Sequence, residues 1–331
     1  MPEPFDITVG AEAANTRLDV FLASVLPGVS RARIQKAITA GHVRVNGSEV
    51  PPRTLLHPAD HILGDISAES TWSVEAEHIP FTVLHHDACL AVINKPRGLA
   101  VHPGAGRRSG TLVNALAARF GTLPGGSSPE RPGIVHRLDK DTSGLMIVAL
   151  DAATMTTLGR MIASREVERR YMALVWGNPA FNEAVVDAHI GRDPRHPERM
   201  AVLPEASAHT RREAVTELTV RERFAEAALI EAKLKTGRTH QIRVHCAYAG
   251  HPVMGDTVYG ERALVRKGFP REGRAELAAL LERLQGQALH AWSLKFRHPG
   301  TGEPMSFECE PPPEMQDVVD FLRQWTRDRH A

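Results

Sequence analysis

Between Gly133 and Leu150 the chain passes from an apolar pair through a dense charge cluster and a turn into an unbroken apolar run. Ile134-Val135 leads into His136-Arg137-Leu138-Asp139-Lys140-Asp141, Thr142-Ser143-Gly144 has turn chemistry, and Leu145 to Leu150 is a β-type run. Two carboxylates and three cationic side-chain types in so short a span, flanked by apolar segments, fit a reactive loop displayed on a sheet. The plain alternative is a charged surface loop whose ions pair with one another. His136, Asp139 and Ser143 are triad residue types, but they lie too close in sequence for a standard constellation.

A chain of 331 residues has room for one large domain and one small one. Its net charge of +1 excludes a polycation, so any nucleic-acid surface must be a local patch. Cys89, Cys246 and Cys309 are odd in number and far apart, which implies free thiols and a reducing compartment. The start of the chain lacks a basic segment followed by an apolar one, and no apolar run approaches the length of a membrane span. The expectation is a cytoplasmic monomer with no membrane partner.

Taken in order, residues 1–14 read as a leader with an extended Phe5–Val9 stretch. Asn15 or Thr16 is positioned to cap a helix carrying Leu18, Phe21, Leu22, Val25 and Leu26, ended by Pro27-Gly28. Ser30 is positioned to cap a second helix, Arg31 to Thr39, and a strand from His42 turns at Asn46-Gly47. No acidic residue falls between Val29 and Ser48, where Arg31, Arg33, Lys36 and Arg44 are basic; Arg33 and Lys36 share a helix face. Residues 63–78 are small, polar and acidic, as a linker would be.

The large domain opens with a hairpin, Thr82–Leu84 and Leu90–Asn94, followed by a helix over Thr111–Phe120. A flexible loop at Pro124–Pro129 precedes the central motif. Asp151 is placed to cap a helix reaching Met161, and Tyr171–Trp176 is a strand. Residues 190–212 lack periodicity and read as an irregular excursion; 214–220 and 227–235 read as antiparallel strands. A helix is expected over Glu276–Leu284, and another after Pro311–Pro313. Short strands with intercalated helices make an α+β domain with a mainly antiparallel mixed sheet. From Ala232 through Gly255 no residue is acidic while Lys233, Lys235, Arg238 and Arg243 are basic, which points to an anion-facing strand.

The wording of the central motif, HRLDKDTSGLM, resembles the catalytic motif of the RluA family of pseudouridine synthases. The resemblance extends in order through Ala91–Gly104 (AVINKPRGLAVHPG), Arg170–Gly177, Thr236–His245 (TGRTHQIRVH), Gly250–Gly260 and Leu289–Pro299. It implies a pseudouridine synthase catalytic domain over 79–331, a linker at 63–78, and no cofactor or metal. Asp139 takes the nucleophile's place by the match, Arg243 the place of the arginine that pairs with it, and Tyr171 that of the active-site tyrosine. Arg238 is the rival to Arg243. Arg137 takes the place of the residue that fills the gap left by a flipped uridine, and its spacing of two from Asp139 predicts the same strand end for both. Arg238 and His240 join it as expected RNA contacts.

Residues 15–62, with RLDVFL, SRARIQKAI and VRVNG, resemble the α-L RNA-binding module of a ribosomal protein. That resemblance makes 1–62 a small RNA-binding domain in which Arg31, Arg33, Lys36 and Arg44 grip phosphate. The combination is nearest to the RluD- and RluC-like branch, which acts on large-subunit (23S) ribosomal RNA, and implies a structured stem-loop substrate.

Two other functions compete. Asp139-Lys-Asp-Thr142 also fits DxDxT, the aspartyl-phosphate motif of Mg²⁺-dependent haloacid-dehalogenase-like phosphatases, although His136-Arg137 interrupts the apolar strand that family places before its first aspartate. The other is a non-catalytic RNA-binding or ribosome-assembly factor. His240, His245, Cys246 and His251 have ligand chemistry, but not the spacing of a standard zinc site.

Overall fold

The computed structural model describes residues 4–26, 29, 31–66, 74–102, 109–125, 131–204, 207, 211–260, 265 and 269–330, leaving aside the side chains of Ala32, Arg33 and His330. Two compact units divide the chain, the second beginning at Val74.

In the N-terminal unit, β1 (Pro4–Thr8) pairs antiparallel with β4 (His61–Asp65). Between them lie α1 (Leu18–Val25), α2 (Arg31–Thr39) and the hairpin of β2 (Val43–Val45) and β3 (Ser48–Glu49). Asn46 and Gly47 turn that hairpin with φ of 51° and 78°, as a type I′ turn requires. The helices bury Leu18, Leu22, Ile34 and Ile38 against Val43, Val45 and Ile62. Neither Asn15 nor Thr16 caps α1. Its N-cap is Arg17, without a side-chain cap, and the first amides donate instead to Thr54 O and Pro52 O at 2.8 and 3.0 Å. The expected Ser30 cap and Pro27-Gly28 stop lie outside the described residues. Strand β4 runs to Asp65, so the first residues assigned to the linker belong to this sheet.

The second unit holds β5 (Thr82–His86), β6 (Leu90–Lys95), α3 (Leu112–Phe120), β7 (Ser143–Ala149), α4 (Ala152–Ala163) and β8 (Glu168–Trp176). There follow β9 (Glu183–Asp187), β10 (Ile190–Arg192), β11 (Met200–Val202), β12 (Val215–Arg223), β13 (Ala227–Leu234) and α5 (Gln241–Tyr248). Last come α6 (Arg271–Leu284), β14 (Leu289–Arg297), β15 (Pro304–Glu308) and α7 (Pro313–His330). One sheet runs β5-β6-β7-β14-β8-β13-β12-β9, with β15 paired to β14. Its pairings are antiparallel except β14 with β7, the α+β mixed sheet expected.

Local chemistry accounts for much of this. Thr111 and Asn114 form a capping box for α3, and Asp151 accepts from Thr154 N at 2.8 Å to start α4. Helix α6 begins five residues before the expected Glu276. The stretch 190–212 contains the β10–β11 hairpin, whose three-residue strands are too short to show a period.

The parallel junction places Gly144 opposite Ala291. At Gly144, with φ +120°, a Cβ would lie 2.3 Å from Ala291 O and 2.5 Å from Ala291 N. Gly144→Ala should therefore destabilise the unit by about 3–5 kcal/mol, combining backbone strain with overpacking. That corresponds to a melting temperature lower by about 6 °C or more. A melt within about 2 °C of wild type would show that the β7–β14 junction yields.

Candidate active site

The segment carrying Asp139 is irregular chain, and β7 begins only at Ser143, so Arg137 does not sit at a strand end as expected. Other parts of the unit hold this segment by its backbone. Lys95 Nζ donates to Lys140 O at 3.0 Å, as well as to Pro96 O and Leu99 O. Arg97 Nη1 donates to Asp141 O at 2.7 Å and Gln287 O at 2.6 Å. Gln287 Nε2 donates to Thr142 Oγ1, and His136 Nε2 accepts from Ile147 N at 3.0 Å. Lys95 is fully buried; burial pushes its pKa down to about 7, but three carbonyl acceptors match the three N–H bonds of an ammonium and favour the charged form.

Asp139 points a part-exposed carboxylate into a cavity of about 450 Å³, whose lining includes Tyr171, Arg243, Arg137, Arg238 and His240. Arg243 Nη1 donates to Asp139 Oδ2 at 2.9 Å. The rest of that guanidinium is anchored behind: Nε and Nη2 donate to Asp256 at 2.6 and 2.9 Å. Burial opposes the Arg243 charge, yet Asp256 and then Asp139 raise its pKa above the ordinary value. Burial also opposes ionisation of Asp256, but Arg243 and the amides of Val258 and Tyr259 hold its pKa low. Arg243 lies 5.0 Å from the centre of the Tyr259 ring.

Arg243 is on helix α5, not on a strand. Ile242, Val244 and Cys246 alternate at period two, which imitates a strand; in fact six successive residues from Gln241 to Cys246 are buried. Gln241 fixes the helix entry, accepting from Thr236 Oγ1 and Arg238 N and donating to Val215 O and Thr216 Oγ1.

The basic run before it is not a free anion-facing strand either: Lys233 pairs with Glu168 and Lys235 with Glu217. Arg238, the rival to Arg243, donates its Nε to Glu213 O at 2.9 Å. His240, at φ +57°, has Nε2 3.8 Å from Asp139 Oδ1 and Nδ1 2.7 Å from the Tyr259 hydroxyl. Burial lowers its pKa, so at neutral pH it faces Asp139 as a neutral imidazole. Tyr171 is 4% exposed, its hydroxyl pKa raised by burial.

In the N-terminal unit, Arg31 and Arg17 both pair with the fully buried Asp19, so Arg31 helps to hold α1 and α2 together. Arg44 pairs with Glu49 at 3.2 Å, and Lys36 is exposed. The Arg33 side chain lies outside the described residues, as does most of the Pro124–Pro129 loop.

The other ligand-type residues have separate partners. His245 contacts Thr216 and Ala188 O, and His251 contacts Trp176 O. Among the described residues, Asp87, Cys89 and His298 approach one another as metal ligands would. His298 Nδ1 accepts from Gly300 N and Thr301 N at 3.1 Å, which fixes its proton on Nε2, toward Asp87 Oδ2 at 3.0 Å. That hydrogen bond ties the segment after β14 to the β5–β6 turn, with no lone pair left on His298 for a metal.

Sequence reasoning missed Asp256, Lys95 and Arg97. Their motifs were visible as GDTVYG and NKPRG, but their roles depend on partners distant in sequence. The two aspartates of DxDxT do not share the site: among the described residues lining the cavity, Asp139 is present and Asp141 is not.

Residues 89–248 match the RNA pseudouridylate synthase family and residues 16–62 the S4 domain. An uncharacterized RNA pseudouridine synthase of Bacillus subtilis is 39% identical over 96% of this chain and 98% of its own length. The ribosomal large subunit pseudouridine synthase D of Xanthomonas campestris is 39% identical over 97% and 95%. The solved structure of human RNA pseudouridylate synthase domain containing 4 superposes with a TM-score of 0.58 at 26% identity, covering 73% of this chain and 93% of that one. With a carboxylate–guanidinium pair open to a basic cavity, and relatives matched along nearly all of its length, the chain belongs to the RNA pseudouridylate synthase family and is an isomerase acting on RNA.

Proposed function

We propose that the enzyme converts specific uridines of large-subunit (23S) ribosomal RNA to pseudouridine, in a structured stem-loop, as a cytoplasmic monomer. The observation that carries this reading is the Asp139 carboxylate, fixed by Arg243 at 2.9 Å and open to the cavity. A carboxylate paired with a buried guanidinium, one oxygen bonded and the group open to the cavity, is a nucleophile held in position. It adds to a carbon of the uridine and the N1–C1′ bond breaks; the turned uracil rejoins the ribose through C5 as the bond to Asp139 breaks and frees the carboxylate, C5 gives up its proton, and N1 takes one up. Tyr171 packs against the flipped base, Arg137 enters the gap it leaves, and Arg238 and His240 contact the nucleotides around it.

The N-terminal unit, with Arg33, Lys36, Arg44 and the outer edge of Arg31, supplies a salt-sensitive grip on phosphate. The domain limits in this reading are 1–62 and 79–331; β4 carries the first unit on to Asp65, and the second unit begins at Val74. The DxDxT and binding-only readings lose their support, because the relatives matched along nearly the whole chain are named RNA pseudouridine synthases.

The test is tritium release from large-subunit rRNA carrying [5-³H]uridine. Release from unmodified transcript or from ribosomal precursor particles, at a few mapped uridines, is the expected result. Release from small-subunit rRNA or tRNA alone would overturn the substrate assignment.

A further inference from the structure

We propose that Arg169 is a phosphate-binding residue in the wall of the Asp139 cavity, holding a backbone phosphodiester of the RNA beside the target uridine. The proposal rests on the reading of the enzyme as an RNA isomerase and adds a site residue that the sequence motifs did not supply.

Arg169 and Tyr171 are two apart on β8 and therefore face the same side of the sheet; both are buried and both line the cavity. Only 6% of Arg169 is exposed, and its Nε is sealed without an acceptor. Among the described residues its side chain has neither an ion pair nor a hydrogen bond. The adjacent Arg170, on the opposite side of the strand, is bonded to Glu168 and Glu231 at 2.8 and 2.9 Å.

A buried cation without a counter-charge is costly, and native structures normally supply one. Among the described residues the cavity offers none of its own. Its carboxylates are Asp139, engaged by Arg243, and Glu213, engaged by Arg165 at 2.7 Å. Neighbouring His136 cannot help: burial keeps it neutral, and because its Nε2 accepts from Ile147 N, its Nδ1 carries the proton and offers Arg169 no acceptor.

Space has been kept for this guanidinium. A Cβ on Gly237 would lie 3.0 Å from Arg169 Nη1. A phosphodiester brings one negative charge and two free oxygens, which suits the planar fork of an arginine. A neutral uracil carbonyl would leave the buried charge uncompensated.

The experiment compares wild type with Arg169→Gln, Arg169→Lys and Gly237→Ala, using a large-subunit rRNA transcript. Affinity is measured across a salt series, and tritium release gives kcat and KM. For Arg169→Gln, affinity should fall about ten- to a hundredfold, and KM should rise in proportion. The slope of log affinity against log salt should drop by about 0.7–0.9, one phosphate's share. At saturating RNA, kcat should stay within about threefold of wild type. Arg169→Lys should restore the salt slope but only part of the affinity. Gly237→Ala should weaken binding in the same direction by crowding Nη1.

Unchanged affinity and slope in Arg169→Gln would overturn the proposal. So would a loss of kcat at unchanged affinity, which would assign the guanidinium to the reacting base. Should Arg169→Gln fail to fold, the Lys and Gly237 variants carry the same comparison. If wild type released no tritium from transcript, precursor particles, small-subunit rRNA or tRNA, the isomerase reading would fall, while the salt slopes would still decide the phosphate contact.

Discussion

Asp139→Ala, and equally Asp139→Asn, is expected to lower turnover by at least about 10⁴-fold while RNA affinity stays within about threefold of wild type. The carboxylate is the anionic group that Arg243 fixes in the cavity wall, and asparagine keeps its shape while removing its charge and most of its nucleophilicity. The protein should remain folded, because Arg243 retains both hydrogen bonds to Asp256 when Asp139 is gone. Binding should hold or tighten slightly, since the substitution removes a negative charge from a basic cavity that receives a polyanion. Tritium release under saturating RNA and filter binding of the same transcript check the two halves separately. Turnover within tenfold of wild type would move the nucleophile elsewhere, and joint loss of turnover and binding would point to a damaged fold.

The sequence made some parts of this molecule legible and concealed others for identifiable reasons. Helices α3 and α4 announced themselves through Thr111 and Asp151, whose caps are local chemistry. Strand β7 did so through an apolar run that is buried on both faces. Helix α5 was concealed because burial on every side erased its polar face, leaving an alternation that imitates a strand. The nucleophile's motif could be read, but its support could not. Lys95 and Arg97 act on the carbonyls of Lys140 and Asp141, and a carbonyl acceptor has no residue-type signature. Arg31 illustrates the opposite error: it looked like one more cation on a basic helix, yet it is tied to Asp19 twelve positions earlier in the chain. Charge counts along a sequence do not say which cations are already neutralised.

Asp256→Ala should cost more stability than any other single substitution at the site, and lower kcat about a hundredfold. Arg243 is 7% exposed and Asp256 fully buried, so removing the carboxylate leaves a guanidinium in the interior with Asp139 as its remaining anion. Breaking a buried pair in this way costs about 3–5 kcal/mol, a fall in melting temperature of about 6 °C or more for a unit of this size. The effect on turnover follows from geometry. Asp256 takes Nε and Nη2, which turns the single remaining donor edge, Nη1, toward Asp139. Freed from that anchor, Arg243 can turn its fork onto Asp139, engaging both carboxylate oxygens and blocking the nucleophile's approach to carbon. Arg243→Lys should show the same kinetic pattern, since one ammonium cannot span two carboxylates with a fixed fork. In both variants KM should stay within about threefold, because neither change touches a cation unpaired in the cavity. Normal kcat in a destabilised Asp256→Ala protein would confine Asp256 to holding the fold; a normal melt together with reduced kcat would mean that Arg243 finds another buried partner.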